Sequence, residues 1–220
     1  MKNNQAALVE IAVMLKTTHS PNLLHTKHVG FDCINVPPTT IHVGMELCDS
    51  DLRSILPISH EYTKKIGKII VGAAKAMEQV HKLDIIHRDV KPENFMIKDN
   101  SVKLGDFGLA EMSPRGYGRI GTPGYMAPEV ILSEKKKQYY DSKSDIWGLG
   151  ATLCELLTGD YLVKNAKNES ECLCPHPQWY KVDQKFQGAA EVCKMLLISD
   201  PKKRISASDF LQKIREVIPK

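Results

Sequence analysis

The sequence has no apolar run long enough to cross a bilayer. Its longest, Ile146 to Leu157, follows Asp145 and contains Glu155. It falls short of the ~20 residues a membrane-spanning helix needs, and a buried helix is expected instead. An excess of one charge is lacking too: 30 Lys+Arg stand against 26 Asp+Glu, a formal net charge of +4. A balance so mild gives no reason to expect nucleic-acid or membrane partners. The first residues, Met-Lys-Asn-Asn-Gln, lack the apolar run of a secretory leader. Six cysteines at 33, 48, 154, 172, 174 and 193 follow no regular spacing. Cys154 and Cys193 fall in apolar helical runs, so reduced, buried thiols are expected. In Cys172-Leu173-Cys174-Pro175-His176 the two thiols are closer than zinc spacing asks and no second pair follows, which argues against a metal there. The expectation is a soluble, intracellular, cytoplasmic protein of ordinary composition, 42% apolar and 25% charged. A length of 220 residues allows one large domain or two small lobes.

Periodicity divides the chain. Asn3 or Asn4 is placed to cap a helix running to about Thr17, with Leu8, Ile11, Ala12 and Leu15 on one face. Apolar segments near Leu23–Val29 and Ile41–Leu47 read as strands on either side of a Pro37-Pro38 loop. A second helix is expected from about Glu61 to Lys82, burying Ile66, Ile69, Ile70, Ala73, Ala74, Met77 and Val80. Ile85-Ile86 reads as a short strand. Phe95–Ile97 and Val102–Leu104 flank Asp99-Asn100, a turn dipeptide, and so form a hairpin. From Glu129 the texture is helical, with runs at Ile146–Leu157, Ala189–Ile198 and Phe210–Ile218, the last opened by a capping-box-like Ser206…Asp209. Lys135-Lys136-Lys137 is expected to be a solvated loop or helix end. The layout is a small strand-containing part, a large helical part and polar loops at their junction.

The loop after Ile86 reads His87-Arg88-Asp89-Val90-Lys91-Pro92-Glu93-Asn94, and the hairpin leads into Asp106-Phe107-Gly108. A hairpin returns the chain to its start, so Asn94 and Asp106 are expected side by side, with Asp89 and Lys91 on the adjoining loop. Two carboxylates, an amide and an ammonium at one spot can hold a hard cation and stabilise a transferring phosphoryl group.

With these motifs the chain resembles the eukaryotic-type protein kinase family, serine/threonine branch. His87-Arg88-Asp89 with Lys91 and Asn94 is similar to the catalytic loop, and Asp106-Phe107-Gly108 to the metal-binding motif. Gly121-Thr122 to Ala127-Pro128-Glu129 resembles the end of the activation segment. Asp145-Ile146-Trp147-Gly148 resembles the start of the central helix of the large lobe, with Gly148 where a serine is usual; Arg204 resembles the late arginine that pairs with Glu129. The resemblance covers about residues 6–218. It implies an α+β protein-kinase-like fold, with a truncated small lobe of few strands over 1–47 and a mainly helical large lobe over 48–220. It also implies transfer of the γ-phosphate of ATP, with Mg2+, to Ser or Thr of a protein substrate. Asp89 would orient the substrate hydroxyl and accept its proton, Lys91 would neutralise phosphoryl charge, and Asn94 and Asp106 would hold the metal. Lys91-Pro92-Glu93-Asn94 and Thr122 are of the serine/threonine kind. Met45-Glu46-Leu47-Cys48 resembles the gatekeeper and hinge, with backbone groups of Glu46 and Cys48 offered to adenine, Asp51 near the ribose and Met96 under the ring.

The sequence also departs from the family's pattern. Glu10 resembles the acidic partner of an ATP-contacting lysine, yet only nine residues precede it, none is Gly, and Lys2 lies on or beside the helix itself. Three small-lobe strands, the Gly-rich loop and that lysine are thus missing from the pattern. Gly118 stands at the usual phosphoacceptor position, leaving Arg88 to pair with Glu111, water or a loop carbonyl and leaving Ser113 or Tyr117 as substitutes. Two further readings follow: a catalytically impaired large-lobe mimic that binds a partner kinase or its substrate, or an incomplete product that needs a completing small-lobe fragment.

Overall fold

The computed structural model describes residues 2–31, 40–56, 65–158 and 189–217. Helix α1 spans Lys2–Thr17, two or three residues further back than an Asn3 or Asn4 cap would place it. Among its described side chains the buried ones are Val13, Met14 and Thr17, not the Leu8–Leu15 stripe: Leu8 is 60% and Leu15 57% exposed. Val13 and Met14 join the main core, whereas nothing among the described residues covers the other face. Strands β1 (Thr26–Phe31) and β2 (Ile41–Met45) pair antiparallel with Val29 opposite Val43. Both expected strands are present with shifted ends; the Pro37-Pro38 loop lies outside the described residues.

A second sheet has the antiparallel order β3 (Ser50–Asp51), β4 (Phe95–Lys98), β5 (Ser101–Leu104). Asp99 and Asn100 join β4 to β5 with φ of 49° and 61°. Left-handed backbone at both positions is what a tight two-residue hairpin requires, and Asp and Asn tolerate it. The expected Ile85-Ile86 strand is reduced to an isolated bridge between Ile86 and Glu111. The small sheet is tied to the large one through the chain after α1. Leu24 N–H donates to Leu104 O at 2.9 Å, Leu104 N–H to Asn22 O at 2.9 Å, and the Asn22 side-chain amide to Val102 O at 2.9 Å.

Helix α2 (Ile66–Lys82) buries all seven residues of its expected stripe. It packs on β5 and on the last helix. A side chain on Gly72 would meet Val102 Cβ at 2.8 Å, so the close approach of α2 to β5 depends on that glycine. Two short helices, α3 (Pro128–Ile131) and α4 (Ser133–Lys136), precede the central helix α5 (Lys143–Thr158), buried along nearly its whole length. Helices α6 (Ala189–Leu196) and α7 (Ala207–Val217) complete the described helical part. Ser206 caps α7: its hydroxyl accepts the Asp209 N–H at 3.1 Å and donates to the Asp209 carboxylate at 2.6 Å, as the sequence pattern suggests. Cys154 and Cys193 are buried and Cys48 is half-buried. Cys33 and the Cys172–His176 group lie outside the described residues. No described helix is long and apolar enough to cross a membrane.

Candidate active site

The loop from His87 to Asn94 is held from below by the first turn of α5. The Asp145 carboxylate accepts the backbone N–H of His87 at 2.8 Å and of Arg88 at 2.9 Å, while His81 lies 3.0 Å away. Asp145 is 2% exposed. A buried carboxylate must be fully hydrogen-bonded, and here the bonds fix the loop's entry. Arg88 adopts φ of 67°, a left-handed turn that those bonds hold in place. Gly148, one turn along α5, completes the fit. A side chain there would lie 2.9 Å from Val90 Cβ and 3.0 Å from Val90 O, so the usual serine would press into the loop. His87 Nε2 lies 2.9 Å from Gly105 O, and the His87 ring stacks at a tilt on buried Phe107, centroids 5.2 Å apart.

Asp89 is the centre of the constellation. Its Oδ1 accepts the Thr122 hydroxyl at 2.6 Å and the Thr122 N–H at 2.9 Å. Its Oδ2 accepts the Lys91 ammonium at 2.6 Å. Lys91 donates also to Thr122 Oγ1 at 2.9 Å, so the three side chains close a ring. Burial alone would raise the Asp89 carboxyl; Lys91 and Thr122 hold it below the ordinary carboxylate value. The Asn94 side-chain amide donates to Asp89 O at 2.7 Å, which leaves its Oδ1 as the atom turned to other uses. Gly105 N–H donates to Asn94 O at 2.9 Å, so the hairpin does bring Asn94 beside the start of Asp106-Phe107-Gly108. Asp106 is exposed, in a left-handed conformation at φ 56°, and accepts the Gly108 N–H at 3.3 Å. Asn94 and Asp106 offer hard oxygen donors of the kind Mg2+ prefers.

The expected nucleotide residues occupy the edge between the two sheets. Asp51 pairs with Met96 across β3 and β4, which places the two together. The Asp51 carboxylate also accepts the Ser54 N–H and hydroxyl, both at 2.8 Å. Glu46 N–H donates to His25 O at 3.0 Å, so that backbone donor is committed to the small sheet. The Glu46 side chain does something the sequence did not suggest. It accepts Lys98 at 2.8 Å, Lys103 at 2.9 Å and the His25 N–H at 2.9 Å, joining the segment after β2 to β4 and β5. Burial would raise this carboxyl, but its donors hold it at about 2. The Cys48 thiol is pushed up by burial and by Glu46. Glu10 makes no ion pair among the described residues; burial, and then the charge of Asp106, raise its carboxyl.

Two ion networks, one partly exposed at Arg53 and one buried at Arg204, hold the segment that ends at Glu129. Arg53 donates to Glu93 at 2.8 Å, to the Tyr125 hydroxyl at 2.6 Å and to the Glu155 carboxylate, and Tyr125 donates to Glu155 at 2.5 Å. Arg53, Tyr125 and Glu155 were not singled out from the sequence; an acid inside the apolar run of α5 was the available signal. Arg204 meets Glu129 in a two-pronged pair at 2.6 and 3.0 Å, as expected. Arg88 pairs with Glu111 at 3.1 Å and donates to Leu109 O, the arrangement expected with Gly118 in place.

A fold of this layout, with a carboxylate, lysine, threonine and amide joined at the foot of a hairpin, is that of a protein kinase domain. The protein kinase domain profile matches residues 1–214. The chain belongs to that family. It is 36% identical over 183 residues to the serine/threonine-protein kinase KIC1 of Saccharomyces cerevisiae, covering 79% of this chain and 17% of that protein. It is 32% identical to the serine/threonine-protein kinase DCLK1 of Rattus norvegicus, covering 92% of this chain and 48% of that protein. It is 30% identical to the serine/threonine-protein kinase 33 of Mus musculus, covering 90% and 43%. The chain thus spans less than half the length of these relatives.

Proposed function

We propose that this chain transfers the γ-phosphoryl group of ATP to a Ser or Thr hydroxyl of a protein. The observation that carries the reading is the closed ring of Asp89, Lys91 and Thr122. It holds Asp89 ionised, with one oxygen in reach of an incoming hydroxyl's proton once Thr122 yields its bond. Lys91 lies 2.6 Å from Asp89, close enough to offset negative charge developing at the reacting phosphorus. Asn94 Oδ1 and the Asp106 carboxylate are the groups that would hold Mg2+, which supplies charge neutralisation on the phosphates when bound. The hinge segment at Glu46 and Cys48, with Asp51 and Met96 across the strand pair, is the region proposed for the nucleoside. Residues 1–47 would be the small lobe and 48–220 the large one.

The test is phosphate incorporation from labelled ATP and Mg2+ into a basic protein, followed by hydrolysis and phosphoamino-acid analysis. Phosphoserine or phosphothreonine is expected; phosphotyrosine alone would overturn the substrate class. A second reading is favoured by one observation, Glu10 without a cationic partner among the described residues. On that reading the chain is either a kinase-like module that binds a kinase or its substrate, or an incomplete kinase that needs a small-lobe fragment. Absence of incorporation would decide for it, and restoration by adding such a fragment would decide for the incomplete kinase over the binding module.

A further inference from the structure

We propose that the groove between α4 and the loop before α7 is a docking site for an acidic segment of a protein partner. Lys136 and Lys137, from a Lys135–Lys137 run expected to be merely solvated, form one wall. Helix α4 ends at Lys137, whose left-handed φ of 52° turns the chain into Gln138–Tyr140. Tyr140 then pairs with Gly116, N–H to O at 3.0 Å and 2.8 Å, and this brings Arg115 to the opposite wall. Lys202 closes the lower side. The concavity measures about 750 Å³.

Its charge is one-sided. The side chains of Arg115, Lys136, Lys137 and Lys202 make no ion pair or hydrogen bond among the described residues. Of the two acids in the wall, Glu129 pairs with Arg204, and Asp141 accepts the Lys143 backbone N–H at 2.9 Å and keeps a charge that the ammonium of Lys143, in the same wall, offsets. Elsewhere Lys98, Lys103 and Lys194 each meet a carboxylate within 3 Å. Four unneutralised cations around one concavity repel one another, and carboxylates entering it would relieve that repulsion.

The groove suits a peptide rather than a small ion. Its volume is that of a site for a sizeable ligand. Pro128, Leu132 and Pro201 give it apolar surface. Tyr139, 67% exposed, leans on the half-exposed ring of Tyr117 with centroids 5.5 Å apart. A net charge of only +4 over the whole chain, with the cations of this site gathered in one concavity, favours a polypeptide over a nucleic acid. Tyr140 also lines the small cavity beside Asp89, so an occupant would lie along the segment that carries Thr122. The docking surface stands whether or not the chain transfers phosphate.

Binding of a fluorescein-labelled octaglutamate peptide, followed by anisotropy, is the test. Wild type should bind it, more weakly as salt is raised. Lys136→Glu/Lys137→Glu/Lys202→Glu should bind at least about tenfold less tightly, and should gain affinity for labelled octalysine. Tyr139→Ala should weaken octaglutamate binding without any change of charge. Lys27→Glu/Lys82→Glu/Lys213→Glu, which carries the same charge change elsewhere, should stay within about twofold of wild type. Equal loss in the two triple variants, or no binding to wild type, would overturn the proposal. So would a single-stranded RNA 12-mer that binds more tightly than the peptide and depends on the same lysines.

Discussion

Replacing Glu129 by Ala removes the partner of an arginine that cannot reach water. The Arg204 side chain is fully buried, and its guanidinium is held by Glu129 at 2.6 and 3.0 Å, by Ile198 O at 2.8 Å and by Lys143 O at 2.6 Å, with the Trp147 ring 5.2 Å away. The carbonyls and the ring remain in the variant, but the compensating charge does not. Breaking a buried pair in this way costs about 3–5 kcal/mol, against a total stability of about 5–15 kcal/mol. With a urea dependence near 2 kcal/mol per molar, the unfolding midpoint should fall by about 1.5–2.5 M. Urea titration followed by circular dichroism reads this directly. The double variant Glu129→Ala/Arg204→Met should recover much of the loss, because it leaves no unpaired charge behind. A midpoint for Glu129→Ala within about 0.5 M of wild type would refute the reasoning, since the guanidinium would then be adequately solvated without its carboxylate.

Glu46 gives a pH prediction. Its folded value of about 2 lies below the ordinary 4.5, so its contribution is complete above pH 4.5 and disappears as pH falls from there toward 2. Solvent reaches Lys98, which limits the effect to about 1–2 kcal/mol. The stability difference between wild type and Glu46→Gln should therefore shrink across that window, and a difference constant with pH would count against it. Asp106→Asn should lower Mg2+-dependent ATP binding at least about tenfold in calorimetry, whereas ATP binding without metal should change little. Glu10→Gln should leave Mg-ATP affinity within about twofold of wild type, because no described cation depends on Glu10. A marked loss would mean that a lysine reaches it.

Local pattern carried much of the fold. The seven-residue stripe of α2, the Asp99-Asn100 hairpin and the Ser206 cap are each decided by residues within a turn or two of one another. The face of α1 was not legible, because both sides of that helix carry apolar residues and tertiary packing selects Val13 and Met14. Nor was the fate of Ile85-Ile86, which finds one bridge partner rather than a ladder. At the site, the order of motifs was enough to anticipate that Asp89, Lys91, Asn94 and Thr122 lie together and that Glu129 pairs with Arg204. The Arg53 network was hidden by separation: Glu155 lies 102 residues away and Tyr125 72. Glu46 was read for its backbone, while its side chain proves to lock the segment onto Lys98 and Lys103. No local spacing announces a contact between residues more than fifty positions apart.

The central claim is that the ring around Asp89 performs phosphoryl transfer, and a comparison of wild type with Asp89→Asn measures it most directly. The substitution keeps shape and hydrogen bonds to Thr122 but removes the charge that accepts the proton. Under saturating Mg-ATP, initial rates of phosphate incorporation into a serine- and threonine-containing protein should fall by about 10²-fold or more, with circular dichroism showing the variant folded under the assay conditions. Equal rates in the two proteins, or no incorporation by wild type at any Mg-ATP concentration, would contradict the account.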